Sequence, residues 1–354
     1  MYYDLLDICD FQGGTQPPKD KWIKEPKDGY VRMLQIRDYS QSDDKFIEYV
    51  KDSEQLHKCK KDDVMLSRYG YIGQAFMGLE GAYNVALVKV IKKNSVNTKY
   101  LYYYFKSNVF KHYLLSNVGA RATIPGFNKS ELKDAKIDIK PLDEQIQIVK
   151  ILERCEDIIN KLNKEIEDFD LLIKARFVEM FGDPKNNPLN FPIFMLKDTC
   201  KVITGNTPSR KIKDYYGDYI EWIKTDNIIP EKKYPTQANE YLSEKGIRFG
   251  RTVDKDSVLM ACIAGSVSSI GKVCITDRKL AFNQQINAVV PKKYNVLFLY
   301  TIFQMSKDYL VEDINMSLKG ILSKSKLEEK KFILPPIELQ QQFADFVKQV
   351  DKSK

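Results

Sequence analysis

The chain is poor in the side chains that hold metals. It has two histidines (His57 and His112) and six cysteines (Cys9, Cys59, Cys155, Cys200, Cys262 and Cys274), none of them in a C-x-x-C pair. That spacing offers neither a zinc site nor a disulfide scaffold. No run of about 18 apolar residues occurs, and Met1-Tyr2-Tyr3-Asp4 leads into no basic or apolar leader, so the expectation is a cytosolic chain with no membrane partner. Catalytic loops are missing as well. Leu334-Pro335-Pro336-Ile337 lacks the acid or amide and the aromatic of an amine-methylating loop. Gly70-Tyr71-Ile72-Gly73 and Gly78-Leu79-Glu80-Gly81 lack a nucleotide cradle. Ser269-Ile270-Gly271-Lys272 lacks the first glycine and the final hydroxyl of a phosphate loop. Glu221 and Lys224 have no assignable partner aspartate. These absences make a self-contained nuclease or methyltransferase a distant third reading, which S-adenosylmethionine binding by the isolated chain would revive, and leave no catalytic and no metal-binding residue to assign.

What is present is folded protein. The 354 residues are 43% hydrophobic and 12% aromatic, enough for two domains. A net charge of +8, from 56 Lys+Arg against 48 Asp+Glu, favours a polyanionic partner only weakly. Between Pro141 and Pro184 neither proline nor glycine occurs until Gly182, and Ile148, Leu152, Cys155, Ile159, Leu162, Ile166, Phe169 and Ile173 step by four and three. This heptad spacing predicts one long helix with a seam for a partner helix, with Asp143 placed to cap its start. Roughly 38 residues at about 1.5 Å each make a rod of about 55 Å.

The chain also repeats itself. Gly14-Thr15-Gln16-Pro17 matches Gly205-Asn206-Thr207-Pro208, and Tyr30 to Ile36 matches Tyr219 to Thr225 as a strand. Lys61 to Leu66 matches Lys255 to Met260 as turn and strand, and Ile72-Gly73 matches Ile270-Gly271. Tyr100 to Phe105 matches Phe298 to Phe303, a helix whose aromatics are expected in the core rather than as a base-stacking platform. A shift of 195 places Ile148, Leu152 and Cys155 on Phe343, Val347 and Val350, so each copy ends in a helix of one pattern. The second would cover only the first few seam positions before Lys354. That leaves two expectations: a truncated second helix, or another chain's helix over the exposed seam.

The doubled junctions Pro141-Leu142-Asp143-Glu144-Gln145 and Leu334-Pro335-Pro336-Ile337-Glu338-Leu339-Gln340 lie in consistent order with the two glycine-proline loops. So does the helix end Ala175 to Pro184. In this the chain resembles the specificity subunit of type I restriction-modification systems. The resemblance implies an α/β (mixed α+β) fold with two target-recognition domains, 1–141 and 184–336. A long coiled-coil helix (142–183) joins them, and a shorter second helix (337–354) follows. It implies a non-catalytic subunit in which each domain reads one half of a gapped double-stranded DNA target. Two methyltransferase subunits dock on it and a motor and nuclease subunit joins later. S-adenosylmethionine, ATP and magnesium would reside on those partners and no cofactor on this chain. The alternative is a coiled-coil scaffold carrying two ligand-binding domains unrelated to DNA. Domains about 50 Å apart would read half-sites roughly 12 to 15 base pairs apart at about 3.4 Å per pair.

Reading bases requires donors and acceptors on loops that can enter the major groove. Three places per copy offer them. In the first copy they are Gln35 and Arg37 within Gln35 to Tyr39, Arg68 and Tyr69 within Ser67 to Tyr71, and Arg121, Thr123 and Lys129 within Gly119 to Lys129. In the second they are Lys224 and Asn227, the loop Ala264 to Ser269 with Lys272 beyond it, and Lys319, Ser323 and Lys324 within Ser317 to Lys324. Arg121→Ala or Lys319→Ala is expected to weaken DNA binding by the assembled methyltransferase by about 1–3 kcal/mol. Unchanged affinity of both variants across a salt titration would remove these loops from the interface.

Overall fold

The structure, a computed structural model, describes residues 1–41, 44–93, 95–118, 126–264, 269–312, 314 and 320–354. The chain divides into two compact units, 1–161 and 162–354, and the division falls inside one continuous helix, Leu142–Phe181.

The two units share one strand plan. Each begins with a strand paired antiparallel to the unit's last: Tyr2–Asp4 with Lys136–Asp138, and Ile193–Met195 with Lys331–Ile333. Each has a four-stranded antiparallel sheet, ordered Cys9–Gly13, Leu87–Lys92, Met65–Ser67, Ala75–Phe76 in the first. In the second the order is Cys200–Thr204, Ile286–Pro291, Val258–Ala261, Val273–Ile275. Each also has a mixed sheet built on a parallel pair. Met33 and Leu34 lie opposite Ala82 and Tyr83, and Trp222 and Ile223 opposite Ala281 and Phe282. These registers fix Met33 and Trp222 as equivalent, and Met65–Phe76 as the counterpart of Leu259–Cys274.

Burial explains the sequence of the central strands. In Val258–Ala261 successive side chains face opposite sides, Val258 and Met260 into one apolar cluster and Leu259 and Ala261 into another. A strand covered on both faces reads as an unbroken apolar run. Gly14 and Gly205 sit where the chain passes under the sheet. A Cβ there would lie 2.1 Å from the Asn84 and Asn283 carbonyl oxygens respectively, so only glycine fits either loop.

The helices packed on the sheets, Thr98–Lys106 and Val296–Met305, are capped by Asn97 and Asn295, whose side chains accept from first-turn N–H groups. Leu101 and Phe105 are buried. The Tyr100, Tyr103 and Tyr104 hydroxyls donate to the Asp138 carbonyl, Glu156 and the Lys136 carbonyl at 2.7, 2.8 and 3.0 Å, so this run is packing surface. A buried glutamine then fixes the exit of each unit's last strand. Gln145 accepts from Asn97 N–H (2.9 Å) and donates to the Lys140 carbonyl (2.7 Å). Gln340 accepts from Asn295 N–H (2.8 Å) and donates to the Pro335 carbonyl (2.8 Å).

The long helix starts at Leu142, so Asp143 lies in its first turn rather than at its cap. Gly182, at φ +72°, ends it in the left-handed conformation, with its N–H on the Val178 carbonyl at 2.8 Å. Along the expected seam, Ile148 and Leu152 are half-buried within the first unit, while Cys155, Ile159, Leu162 and Ile166 are exposed. Phe169 is half-buried and Ile173 buried in the second unit. The second helix, Ile337–Ser353, buries Phe343, Val347 and Val350. It does not cover the first seam positions. It runs antiparallel to the far end: Phe343 meets Phe177 and Phe181 at ring distances of 5.4 and 5.7 Å, and Lys354 pairs with Asp170 at 2.5 Å. An antiparallel pair sets the start of one helix against the end of the other, which a comparison of like positions between copies does not reveal.

Phe177, Phe181, Phe298 and Phe343 form one fully buried cluster. Phe177→Ala is expected to destabilise the second unit by about 3–5 kcal/mol in urea unfolding. A loss under about 1 kcal/mol would show that the cluster contributes little beyond filling space.

Candidate nucleic-acid interface

In each unit two basic side chains meet at one glutamate. In the first, Lys19 Nζ and Arg37 Nη2 lie 2.6 and 2.5 Å from Glu48 Oε2, and Gln35 Nε2 donates to the same oxygen at 2.9 Å. In the second, Arg210 pairs with Glu240 at 2.6 Å and Lys224 pairs with its other oxygen. The backbone makes the two clusters equivalent, because Glu48 and Glu240 accept from Met33 N–H and Trp222 N–H at 2.8 and 3.0 Å. Both lie beside tryptophan. Lys19 Nζ is 3.7 Å from the Trp22 ring centre, and the Arg210 guanidinium is 4.9 Å from that of Trp222. Burial works to raise the Glu48 carboxyl, but hydrogen bonds from Lys19 and Gln35 and the charges of Lys19 and Arg37 hold it below the usual glutamate range. The hydrogen bond from Arg210, then that from Lys224, does the same for Glu240.

This changes what several expected readers do. Gln35 to Tyr39 is a short helix, Ile36–Ser40, capped by Gln35, whose N–H donates to Asp38 at 2.8 Å. Lys224 N–H donates to Asn227 in the equivalent turn at 3.0 Å. Asn227 is buried, and its amide also donates to Thr236 and the Gln237 carbonyl at 3.1 and 3.0 Å. It is a turn-forming residue, and no face of it is left for a base. Ser323 caps the helix Lys324–Glu329, Lys324 pairs with Glu328 at 3.5 Å, and Lys129 with Asp10 at 2.5 Å. Arg121, Thr123 and Lys319 lie outside the described residues.

Arg68 and Tyr69 tie two segments together. Arg68 Nε donates to the Phe127 carbonyl at 3.1 Å and its guanidinium bonds Asn128, while Tyr69 makes a backbone bridge with Gly126. In the second unit Ile263 and Ala264 pair with Ile321 and Gly320. The hairpin loop and the segment before the next helix thus share one root in both units. The units differ beside that root. Tyr39 stacks on Phe76 at 4.7 Å in the first, whereas the equivalent positions carry Ile228 and Cys274. A cleft of about 470 Å³ opens beside Ile228, lined also by Thr225, Asp226, Lys272 and Gln285. Sequence reading picked out Lys272 but not Lys19, Arg210 or the two glutamates. Glu48-Tyr49-Val50 and Glu240-Tyr241-Leu242 were the available signal, one three-residue signature in both copies.

A family model for the type I restriction modification DNA specificity domain matches residues 1–168 and 188–354. The chain belongs to that family. Two specificity subunits of Methanocaldococcus jannaschii, of the type I restriction enzymes MjaVIII and MjaIX, are 22% and 23% identical over 300 and 287 residues. Those matches span 79% and 75% of this chain and 69% and 65% of the relatives. The HindI specificity subunit of Haemophilus influenzae is 30% identical over 116 residues, 32% of this chain and 24% of that protein. Among solved structures, the S subunit of a type I restriction-modification system from M. genitalium aligns with the whole chain and 89% of its own, at TM-score 0.55 and 13% identity. A chain from a study of complex assembly and conformational transition of the type I system aligns with the whole chain and 90% of its own, at TM-score 0.52 and 16% identity. At such identities the likeness speaks for the fold, a mixed α/β arrangement in which each specificity domain carries its own sheets. Among the described residues no helix is long and apolar enough to cross a membrane, and no cluster of three metal-binding side chains occurs.

A carboxyl held low in the folded domain contributes stability that is present above its unfolded value and lost as pH falls through the folded one. Thermal stability should therefore decline on acidification below about pH 4.5, and less steeply in a Glu48→Gln, Glu240→Gln double variant. Identical acid limbs would exclude the two glutamates as its source.

Proposed function

We propose that this chain is the non-catalytic DNA-reading subunit of a type I restriction-modification complex, each specificity domain taking one half of a bipartite target. The observation that carries the reading is the duplication within a family of DNA specificity domains. One framework occurs twice, with the same glutamine clamp, glycine passage and glutamate-centred basic cluster. Each copy roots a hairpin and a second loop together, and the side chains on those roots differ, Arg68-Tyr69 against Cys262-Ile263. A repeated frame with divergent loops is what two half-sites of different sequence require. Lys272, with no ion-pair partner among the described residues, faces the cleft of the second copy as a donor for base or phosphate.

The catalytic work falls to partners. Two methyltransferase subunits would dock on the assembly and carry S-adenosylmethionine. A motor and nuclease subunit with ATP and magnesium joins them. The exposed stretch Cys155, Ile159, Leu162 and Ile166 of the long helix belongs to the spacer in this reading, as a seam for a partner helix.

Footprinting of the chain assembled with its methyltransferase subunits, on the target found by methylome sequencing, should give two short protected patches one to two helical turns apart. A single patch, or protection independent of sequence, would defeat the bipartite reading.

A further inference from the structure

The hairpin tip of the first unit holds an aromatic ring out in water on a rigid mount. Tyr71 is 85% exposed, and its hydroxyl makes no hydrogen bond among the described residues. Its backbone, by contrast, is locked. The Ser67 hydroxyl, on a fully buried residue, donates to the Tyr71 carbonyl and accepts from Gln74 N–H at 2.9 Å. Gly73 N–H donates to the Ser67 carbonyl at 2.8 Å, Ser67 N–H to the Gln74 carbonyl at 2.9 Å, and Ile72 N–H to the Gly70 carbonyl at 3.0 Å. Gly70 and Gly73 sit at φ +73° and +74°, which side-chain-bearing residues rarely adopt. The turn also lies close against the helix Asn108–Asn117, since a Cβ on Gly73 would lie 2.4 Å from Leu114 Cδ2.

An exposed tyrosine alone is ordinary. This one stands three residues from Arg68, at the root shared by the two loops, and the turn's own bonds already fix the backbone that carries it. Little further backbone ordering is needed when it meets a partner, which favours a rigid contact. Resting on the DNA-reading function above, the geometry points to Tyr71 as an aromatic wedge that packs its ring face on the bases of the half-target read by the first unit. Every base offers a π-face, and apolar or aromatic wedges enter a duplex where a step unstacks readily. By sequence the equivalent position in the second copy, before Ile270-Gly271, is Ser269, so that copy brings no ring there. The wedge therefore serves one half-site only.

The test uses the chain assembled with its methyltransferase subunits on its natural target duplex, with Tyr71→Ala, Tyr71→Phe and Tyr71→Trp. The parent's two-patch footprint is recorded first. If it is absent, the DNA-reading function falls and this inference with it. If it is present, Tyr71→Ala should bind roughly 5- to 100-fold more weakly, the range of one lost base stack. Protection should weaken over one patch and not the other, with an unchanged thermal midpoint. Tyr71→Phe should bind like the parent, and the Tyr71→Trp emission should be quenched by the duplex. Parent-like binding by Tyr71→Ala, or an equal loss in Tyr71→Phe, which would assign the effect to the hydroxyl, overturns the wedge while leaving the DNA-reading function intact.

Discussion

Much of this protein depends on two buried side-chain amides. Gln145 and Gln340 each sit one turn into a helix, accept the N–H of the asparagine that caps the sheet-packed helix, and donate to a carbonyl in the junction that follows the last strand. With one amide satisfied at both ends inside the protein, the first turn of each helix is held against its own unit. Replacing it would leave a buried N–H and a buried carbonyl without partners, which costs more than the bonds themselves contribute. The first turn of each helix, after Pro141 and after Pro336, is anchored there.

Around that joint the two units use the same solutions with different residues. Trp22 and Trp222 both cover basic side chains, yet they come from different points of their copies. Trp22 Nε1 donates to the Pro17 carbonyl and Trp222 Nε1 to that of Asn206, both at 3.2 Å. The surrounding strands hold their register while surface positions drift. Tyr39 on Phe76, against Ile228 and Cys274, shows how far the drift goes: a stacked ring pair in one unit, smaller side chains beside a cleft in the other.

The duplication, the long helix and the mixed α/β class were legible because they rest on pattern: heptad spacing, collinear matches, and glycine and proline at loop bends. The site was less legible. A polar residue such as Asn227 or Gln35 looks the same in sequence whether it faces a base or closes a turn, and only its partners decide. Asn227 is drawn inward by Thr236 and Gln237, residues that pattern alone does not bring near. The pairing of Phe343 with Phe177 and Phe181 was hidden for a related reason. Repeat alignment compares like with like, whereas an antiparallel contact joins unlike ends.

The glutamate at the centre of each basic cluster also bears on how the surface meets a polyanion. Glu48 subtracts a charge from Lys19 and Arg37, and Glu240 one from Arg210 and Lys224. The field felt at a distance is accordingly weaker than a count of cations suggests, and fewer counterions are displaced when phosphates arrive. An anion close enough to replace the carboxylate would meet these cations at full charge, so the internal counter-charge sets a threshold on contact.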